Sequence, residues 1–394
     1  MTERLYYTNA HLLHFSARVT DLGSDGRRVY LDRTALYPTS GGQPHDLGTL
    51  AGIPVVDVVD EEDRVAHLLA EPLPVAVGDE VEGAVDVTRR LDHMQQHTGQ
   101  HLLSAVFADL FGHETLSVHF GAELSTLDLA AERVPRERLL EAEARANALV
   151  AENRPVTVHF EDAATAAGLR KPTDRTGTIR VVAIDGVDRS ACGGTHVGGT
   201  GAIGVVLLRR VERIRQATRV EFVCGLRAAR RARADYDALV GIAAGCSTGV
   251  DEAAAAVRAQ GEQLRAARDR DERLTAELAQ HVARARWSEA ATDADGVRRL
   301  SEWAPAGGGL EALMPVARAI TEMPRVLFVG AAATPSPAVL VATSADAGID
   351  AGALLKATLA THGGRGGGSP RLAQGRVADA GALARVVERL LTAG

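Results

Sequence analysis

Two groups of residues have the types and spacing that metal chemistry needs. The turn SACGGTHVGGTG places Cys192 and His196 four positions apart among small residues. Far upstream, RRLDHMQQHTGQHLLSAVF carries His93, His97 and His101, also four apart. On a helix, residues i and i+4 share a face one turn apart, so two such imidazoles reach one ion. Two histidines from a helix with a cysteine and a histidine from a turn make four N/S donors, a set that suits Zn²⁺. Spacing alone does not separate His93/His97 from His97/His101. The apolar run LLSAVF after His101 puts that end of the helix in the core and favours His97 and His101, with His93 nearer an exposed start.

Elements must bring these groups together. Residues 1 to about 88 read as short strands (RRVYLDRTALYP, GIPVVDVVD, RVAHLLA, VEGAVDVT) punctuated by Gly, Pro and Asp. From about Asp92 to Phe111 the period becomes helical, and RERLLEAEARANALVAENRP predicts a second helix ending at Pro155. Strands return with VTVHF, TIRVVAI, GAIGVVLLRRV and RVEFVCG. After Gly225 a long stretch rich in Ala, Glu, Arg and Leu predicts an amphipathic helix with Val257, Leu264, Leu274 and Leu278 on one seam. Pairing of this arm, in a hairpin or a dimer, and a lone surface helix both fit. Beyond Trp303, βα alternation predicts a last unit that ends in the glycine-rich loop GGRGGGSPRLAQG and a helix. The fold class is α+β: a small N-terminal β domain (1–88), a zinc-binding α/β domain (89–225), a helical arm (226–290) and a C-terminal α/β domain (291–394).

Composition bounds the function. Apolar residues make up 46% and charged residues 24% of 394, a globular balance that calls for more than one core. The net charge of −7 gives no overall basic field, so any nucleic-acid contact has to be local. Arginines cluster at 209, 210, 213, 215 and 219 and again in LRAARRARA. Three scattered cysteines give no disulfide framework. No signal peptide and no membrane-length apolar run stand in the sequence, so a cytoplasmic protein is expected.

HTGQHLLSAVF together with CGGTHV resembles the zinc-binding editing domain of alanyl-tRNA synthetases and their free-standing AlaX-type relatives. ALYPTSGGQPHDLGTL is similar to that family's N-terminal glycine-rich signature, with Ser40 where a glycine is frequent. LSVHFG (Leu116–Gly121) resembles the strand beside its active site, and RRVERIRQATRVEFVCG the segment that ends its editing domain. The tail GGRGGGSPRLAQG is similar to the DHH-associated domain, with Arg365 where a lysine is common. No Asp-His-His motif is present, and nothing resembling an aminoacylation core stands before these motifs.

The resemblance implies Zn²⁺ on His97, His101, Cys192 and His196. It implies catalytic roles for His119 and Gln43, and substrate contacts for Gly41, Gly42, Gly121, Arg219 and Arg365. The implied activity is hydrolysis of the ester joining a wrong amino acid, serine foremost, to tRNA(Ala). The expected partners are that mischarged tRNA and a second copy through the arm or the C-terminal domain, and no membrane. The alternatives are a tRNA-binding protein whose zinc is purely structural, and another zinc-dependent hydrolase built on the same scaffold.

Overall fold

The computed structural model describes residues 1–334 and 336–393 and is mixed α+β. It divides into two compact units, Met1–Gly241 and Ile242–Gly394.

The first unit opens with a closed six-stranded barrel, whose strands neighbour in the order His14–Leu22, Arg28–Leu31, Arg64–Leu69, Ile53–Glu61, Gly48–Leu50 and Glu80–Val85. Closure leaves no edge strand, and the interior is filled by Val19, Val29, Leu50, Val58, Val65 and their neighbours. One polar side chain joins them. His67 is fully buried, with Nε2 2.9 Å from Thr34 Oγ1 and Nδ1 3.2 Å from the Val29 carbonyl.

Helix α1 (Val87–Phe111) starts five residues before the expected Asp92, because Asp86 caps it by accepting from the Thr88 and Arg89 amides. It ends at Gly112 in the left-handed conformation. Instead of showing one apolar face, α1 is buried all round from His93 to Phe107. It packs against α2 (Arg136–Ala151) and a four-stranded antiparallel sheet ordered Val206–Ile214, Ala217–Cys224, Ser125–Leu129, Thr115–Phe120. A second sheet of three antiparallel strands, Val156–Asp162, Thr178–Ile184 and Asp188–Ala191, carries the cysteine turn at its end. The buried glutamines of α1 are matched to partners: Gln95 donates to the Ala202 carbonyl, and Gln96 bonds both the N–H and the C=O of Cys224.

The barrel and α1 are joined by a buried ion pair. Arg90 and Asp46 have fully buried side chains and hydrogen-bond each other. Arg90 also donates to the carbonyls of Ala10 (2.7 Å) and Ala35 (2.5 Å), while Asp46 accepts from the Tyr37 amide at 2.7 Å.

The boundary between the units falls inside α3 (Gly225–Gly245), in the segment expected as a helical arm. The long helix α4 (Ala253–Glu289) follows in the second unit. Within that unit the expected seam is uncovered: Val257, Leu264, Leu274 and Leu278 are 48, 55, 53 and 64% exposed. The second unit is built on a five-stranded sheet ordered Arg298–Trp303, Val326–Ala332, Ala338–Thr343, Leu372–Arg376, Arg365–Gly368. Helices α6 (Ala351–Thr361) and α7 (Ala380–Thr392) share a core with Leu327, Val329 and Val341 on one face. The end of α4 and the short α5 (Met314–Ile320) cover Val326, Phe328 and Leu340 on the other. The glycine-rich tail is a strand pair rather than the expected loop: Arg365–Gly368 runs antiparallel to Leu372–Arg376, because Cβ-free residues let the two backbones close up.

Two outcomes follow. Arg90→Met leaves Asp46 as an unpaired buried charge and is expected to destabilise the first unit by about 3–5 kcal/mol, read from its denaturant midpoint; a shift below about 1 kcal/mol would deny the pair that role. Burial lowers the His67 pKa to about 4, and its bond to the Val29 carbonyl only partly opposes this. The unfolded imidazole, near 6.5, therefore binds more protons between those values. Barrel stability should fall as pH drops from 6.5 to 4, by roughly 3 kcal/mol in all. Hydrogen exchange of barrel amides should show this slope, and His67→Leu should flatten it.

Candidate metal centre

Helix α1 and the turn after Ala191 bring His97, His101, Cys192 and His196 together, one donor atom each, all within 4.8 Å of one another. The expectation about His93 is corrected. It is 7% exposed rather than near an exposed start, it stands outside the cluster, and its Nδ1 is buried without a partner.

The histidine orientations follow from their outer bonds. His97 Nδ1 lies 2.8 Å from Gln43 Oε1, and the same oxygen accepts the Thr195 amide at 3.1 Å. That backbone donor fixes the Gln43 amide orientation, so its oxygen faces His97 and the proton sits on Nδ1. His101 Nδ1 donates to Asp188 at 2.9 Å, and His196 Nδ1 meets Thr98 Oγ1 at 3.1 Å. Each imidazole is thus held at Nδ1 and free to offer Nε2. Cys192 Sγ lies 3.3 Å from His97 Nε2 and 3.4 Å from His196 Nε2. Ordinary Zn–S and Zn–N bond lengths give a tetrahedron with an S···N edge of about 3.5 Å, so the donor set and spacing fit Zn²⁺. Partners of this kind, behind the ligands, are what orients metal-binding histidines.

Electrostatics favour a thiolate among the imidazoles. Burial pushes the Cys192 thiol up, but the His97 and His196 imidazoles and hydrogen bonds from His101 and His196 outweigh it and hold the thiol well below its ordinary value. The Gly194 amide points at the same sulfur from 3.4 Å. Burial lowers His196 to about 3, with like charge from His97 adding to it. Burial also works against charge on His101, yet its bonds to Asp188 and Cys192 prevail and raise it to about 9.

The turn is glycine-rich for a steric reason. A Cβ on Gly194 would overlap the His97 imidazole and come within 3.0 Å of Gln43 Oε1. Residues that motif reading did not single out hold the rest. Asp188 accepts from Arg170 Nε at 2.7 Å and Ser190 Oγ at 2.9 Å as well as from His101. Buried Arg180 donates to the Cys192 carbonyl at 2.7 Å and the Tyr7 carbonyl at 3.0 Å. Asp188 and Arg180 sit three residues before Ala191 and in the preceding strand, a hairpin legible in the sequence without its partners.

The cluster opens into a cleft of about 410 Å³. Gly41 lines it, and Gly41 and Gly42 occupy a tight turn at φ +57° and +85°. Phe120 and Val118 line it too, and Phe120 packs on His97 with ring centroids 5.0 Å apart. Strand alternation therefore sends His119 to the opposite, exposed face, and it does not line the cleft. This corrects its expected place beside the reaction. Gln43, 1% exposed, is committed to His97 and Thr195, so its geometry is that of a positioning residue. The Gly121 carbonyl accepts from Arg227 at 2.9 Å.

The arginine cluster is largely paired: Arg209 with Asp235, Arg213 with Glu132, and Arg219 with Asp128 at 2.7 Å. In the second unit Arg365 lies beside Gln374 and Arg376 in an open groove.

The donor set and its outer bonds form a group that could hold a metal ion, with the N/S donors that zinc takes. The segment 179–220, which carries Cys192 and His196, matches the family model described as threonyl and alanyl tRNA synthetase second additional domain. The chain is 34% identical over 235 residues to alanyl-tRNA editing protein Aarsd1 of Danio rerio, covering 58% of this chain and 56% of that protein. It is 34% identical over 241 residues to alanyl-tRNA editing protein AlaX-L of Pyrococcus horikoshii, covering 58% and 59%. It is 35% identical over 240 residues to alanine–tRNA ligase of Pyrococcus abyssi, covering 57% and 26%. The resemblance to AlaX-type alanyl-tRNA editing proteins is thereby shown over the matched part, and the chain spans less than two thirds of the length of these relatives.

Asp188→Ala should weaken zinc binding about 10–100-fold in chelator competition by releasing His101. Gly194→Ala should weaken it further by displacing His97. Unchanged zinc affinity in both would disconnect these residues from the site.

Proposed function

We propose that this chain is an aminoacyl-tRNA deacylase that hydrolyses the ester between a wrong amino acid, serine foremost, and tRNA(Ala), with Zn²⁺ held by His97, His101, Cys192 and His196. One observation carries the reading: three imidazoles, each fixed at Nδ1, converge with a thiol at an open cleft. The chain holding that cleft is similar to proteins named for alanyl-tRNA editing. Bound there, zinc supplies a fixed positive charge that polarises an ester carbonyl or anchors the substrate.

The protein's own residues do the positioning. An aminoacyl ester is already activated, so orientation and hydrogen-bond donors matter more than a strong nucleophile. Gly41 and Gly193 line the cleft, and their amides have no acceptor among the described residues, which leaves them free to donate to the ester. Gln43 and Asp188 keep His97 and His101 in place. In this reading residues 1–88 and 89–225 form the editing part. The arm 226–290 and residues 291–394, including Arg365, add contacts to tRNA or to a second copy, and the protein works in the cytoplasm.

Selectivity follows from polar complementarity. An apolar pocket shaped for alanine excludes serine weakly, whereas a site that bonds the seryl hydroxyl is left with unpaired polar groups by alanine. A second reading has its own support. Four N/S donors fill a tetrahedral shell, as in structural zinc sites, which fits a tRNA binder without hydrolysis.

Seryl- and alanyl-tRNA(Ala) separate the two. Wild-type protein is expected to remove the seryl ester at least about 100-fold faster than the alanyl ester. A His97→Ala, Cys192→Ala double variant, checked for zinc content and fold, should remove neither. Equal hydrolysis of both esters would sink the selectivity. Binding of tRNA without hydrolysis would establish the second reading.

A further inference from the structure

The cleft beside the four-residue cluster has an unbalanced charge. Among the described residues that line it are Arg170, Lys171 and Arg175, and no carboxylate. The three come from one exposed segment, Arg-Lys-Pro-Thr-Asp-Arg, between the strands Val156–Asp162 and Thr178–Ile184. Their engagements differ. Arg170 is bound to Asp188 and Ser190 and belongs to the support of His101. Lys171 donates one proton to the Thr115 carbonyl and keeps two. The Arg175 guanidinium has no ion pair and no hydrogen bond among the described residues, and its neighbour Asp174 does not line the cleft. Arg209, Arg213 and Arg219 are matched to acids, whereas the Arg175 guanidinium is bare at the mouth of the cleft that holds the metal-ligating cluster.

A cleft lined by two cations, Lys171 and Arg175, that no carboxylate neutralises takes an anion. An aminoacyl ester on a terminal ribose brings one: the phosphodiester on the 5′ side of that ribose, one sugar away from the ester bond. We infer that Arg175, with Lys171 beside it, binds the phosphate of the 3′-terminal nucleotide and so places the ester against the four-residue cluster. This rests on the deacylase reading and adds the group by which the substrate is gripped. The contact positions the substrate and carries no sequence information. It also sets this cleft against free amino-acid esters, which are cations and lack the phosphate.

The test uses Arg175→Gln and Lys171→Gln in the full chain. Arg175 is exposed and unpartnered, so its replacement leaves the fold intact. Equilibrium binding is measured against salt for intact tRNA(Ala) and for the same tRNA shortened by its three 3′-terminal nucleotides. For intact tRNA, Arg175→Gln should reduce the slope of log K on log salt by about one; for the shortened tRNA it should change nothing. With seryl-tRNA(Ala), the same variant should raise KM about tenfold and leave kcat near the wild-type value. Arg175→Glu should raise KM further. Equal losses on intact and shortened tRNA would put the contact elsewhere on the molecule and overturn the inference, as would an unchanged slope and KM. Wild-type protein that hydrolyses seryl-tRNA normally while Arg175→Gln matches it overturns this inference alone. Wild-type protein that neither binds nor hydrolyses overturns the deacylase reading with it.

Discussion

The buried pair between Arg90 and Asp46 is the constraint on which the site depends. A fully buried ion pair is a weak source of net stability, yet this one joins two elements that would otherwise meet through a loop. Asp46 fixes the backbone at Tyr37, and Arg90 holds the Ala35 carbonyl. The chain between them carries Gly41, Gly42 and Gln43. Arg90 and His97 are seven residues apart, two turns of α1, and so lie on the same side of the helix. The pair therefore sets the loop at the height where the Gln43 amide reaches the His97 imidazole.

From that contact the rest of the centre is a sequence of single-valued hydrogen bonds. The Thr195 amide can only donate, which turns the Gln43 oxygen inward, which in turn puts the His97 proton on Nδ1. Asp188 does the same for His101 by accepting. Such chains are costly when incomplete. Two imidazoles on a buried stretch of helix and one on the turn are tolerable as a donor set because the Nδ1 of His97, His101 and His196 each already has a partner. The room left for these bonds is narrow: Gly194 has to lack a side chain because the His97 ring occupies that space.

The ligand types and their periodicity were readable without a structure, since the i, i+4 spacing of His97 and His101 and the small residues between Cys192 and His196 are local properties. The strands of the barrel and the long helix were readable for the same reason. What escaped depends on contacts between distant residues. Asp188 is an acid in a short strand until Arg170 and His101 close on it. His119 stood close to the right residues in sequence, but a strand alternates, and Phe120 rather than His119 faces His97. The arginine run looked like a basic patch because its counter-ions, Glu132, Asp128 and Asp235, lie in other elements. The glycine-rich tail read as a loop because strand propensity does not register a pairing that depends on the absence of side chains.

Under the proposed function, charge distribution reconciles an acidic chain with a polyanionic substrate. At −7 the protein as a whole repels a polyanion, and many of its arginines are paired with neighbouring acids. A cleft without carboxylates reverses the sign locally, beside the four-residue cluster. Repulsion over the rest of the molecule then disfavours binding in which the 3′ end is not engaged, while attraction acts where the ester has to arrive. Under the proposed function, an acidic protein with a cationic cleft at its metal-ligating cluster gains orientation from its net charge, because the most favourable approach of a polyanion is the one that brings its end to that cluster.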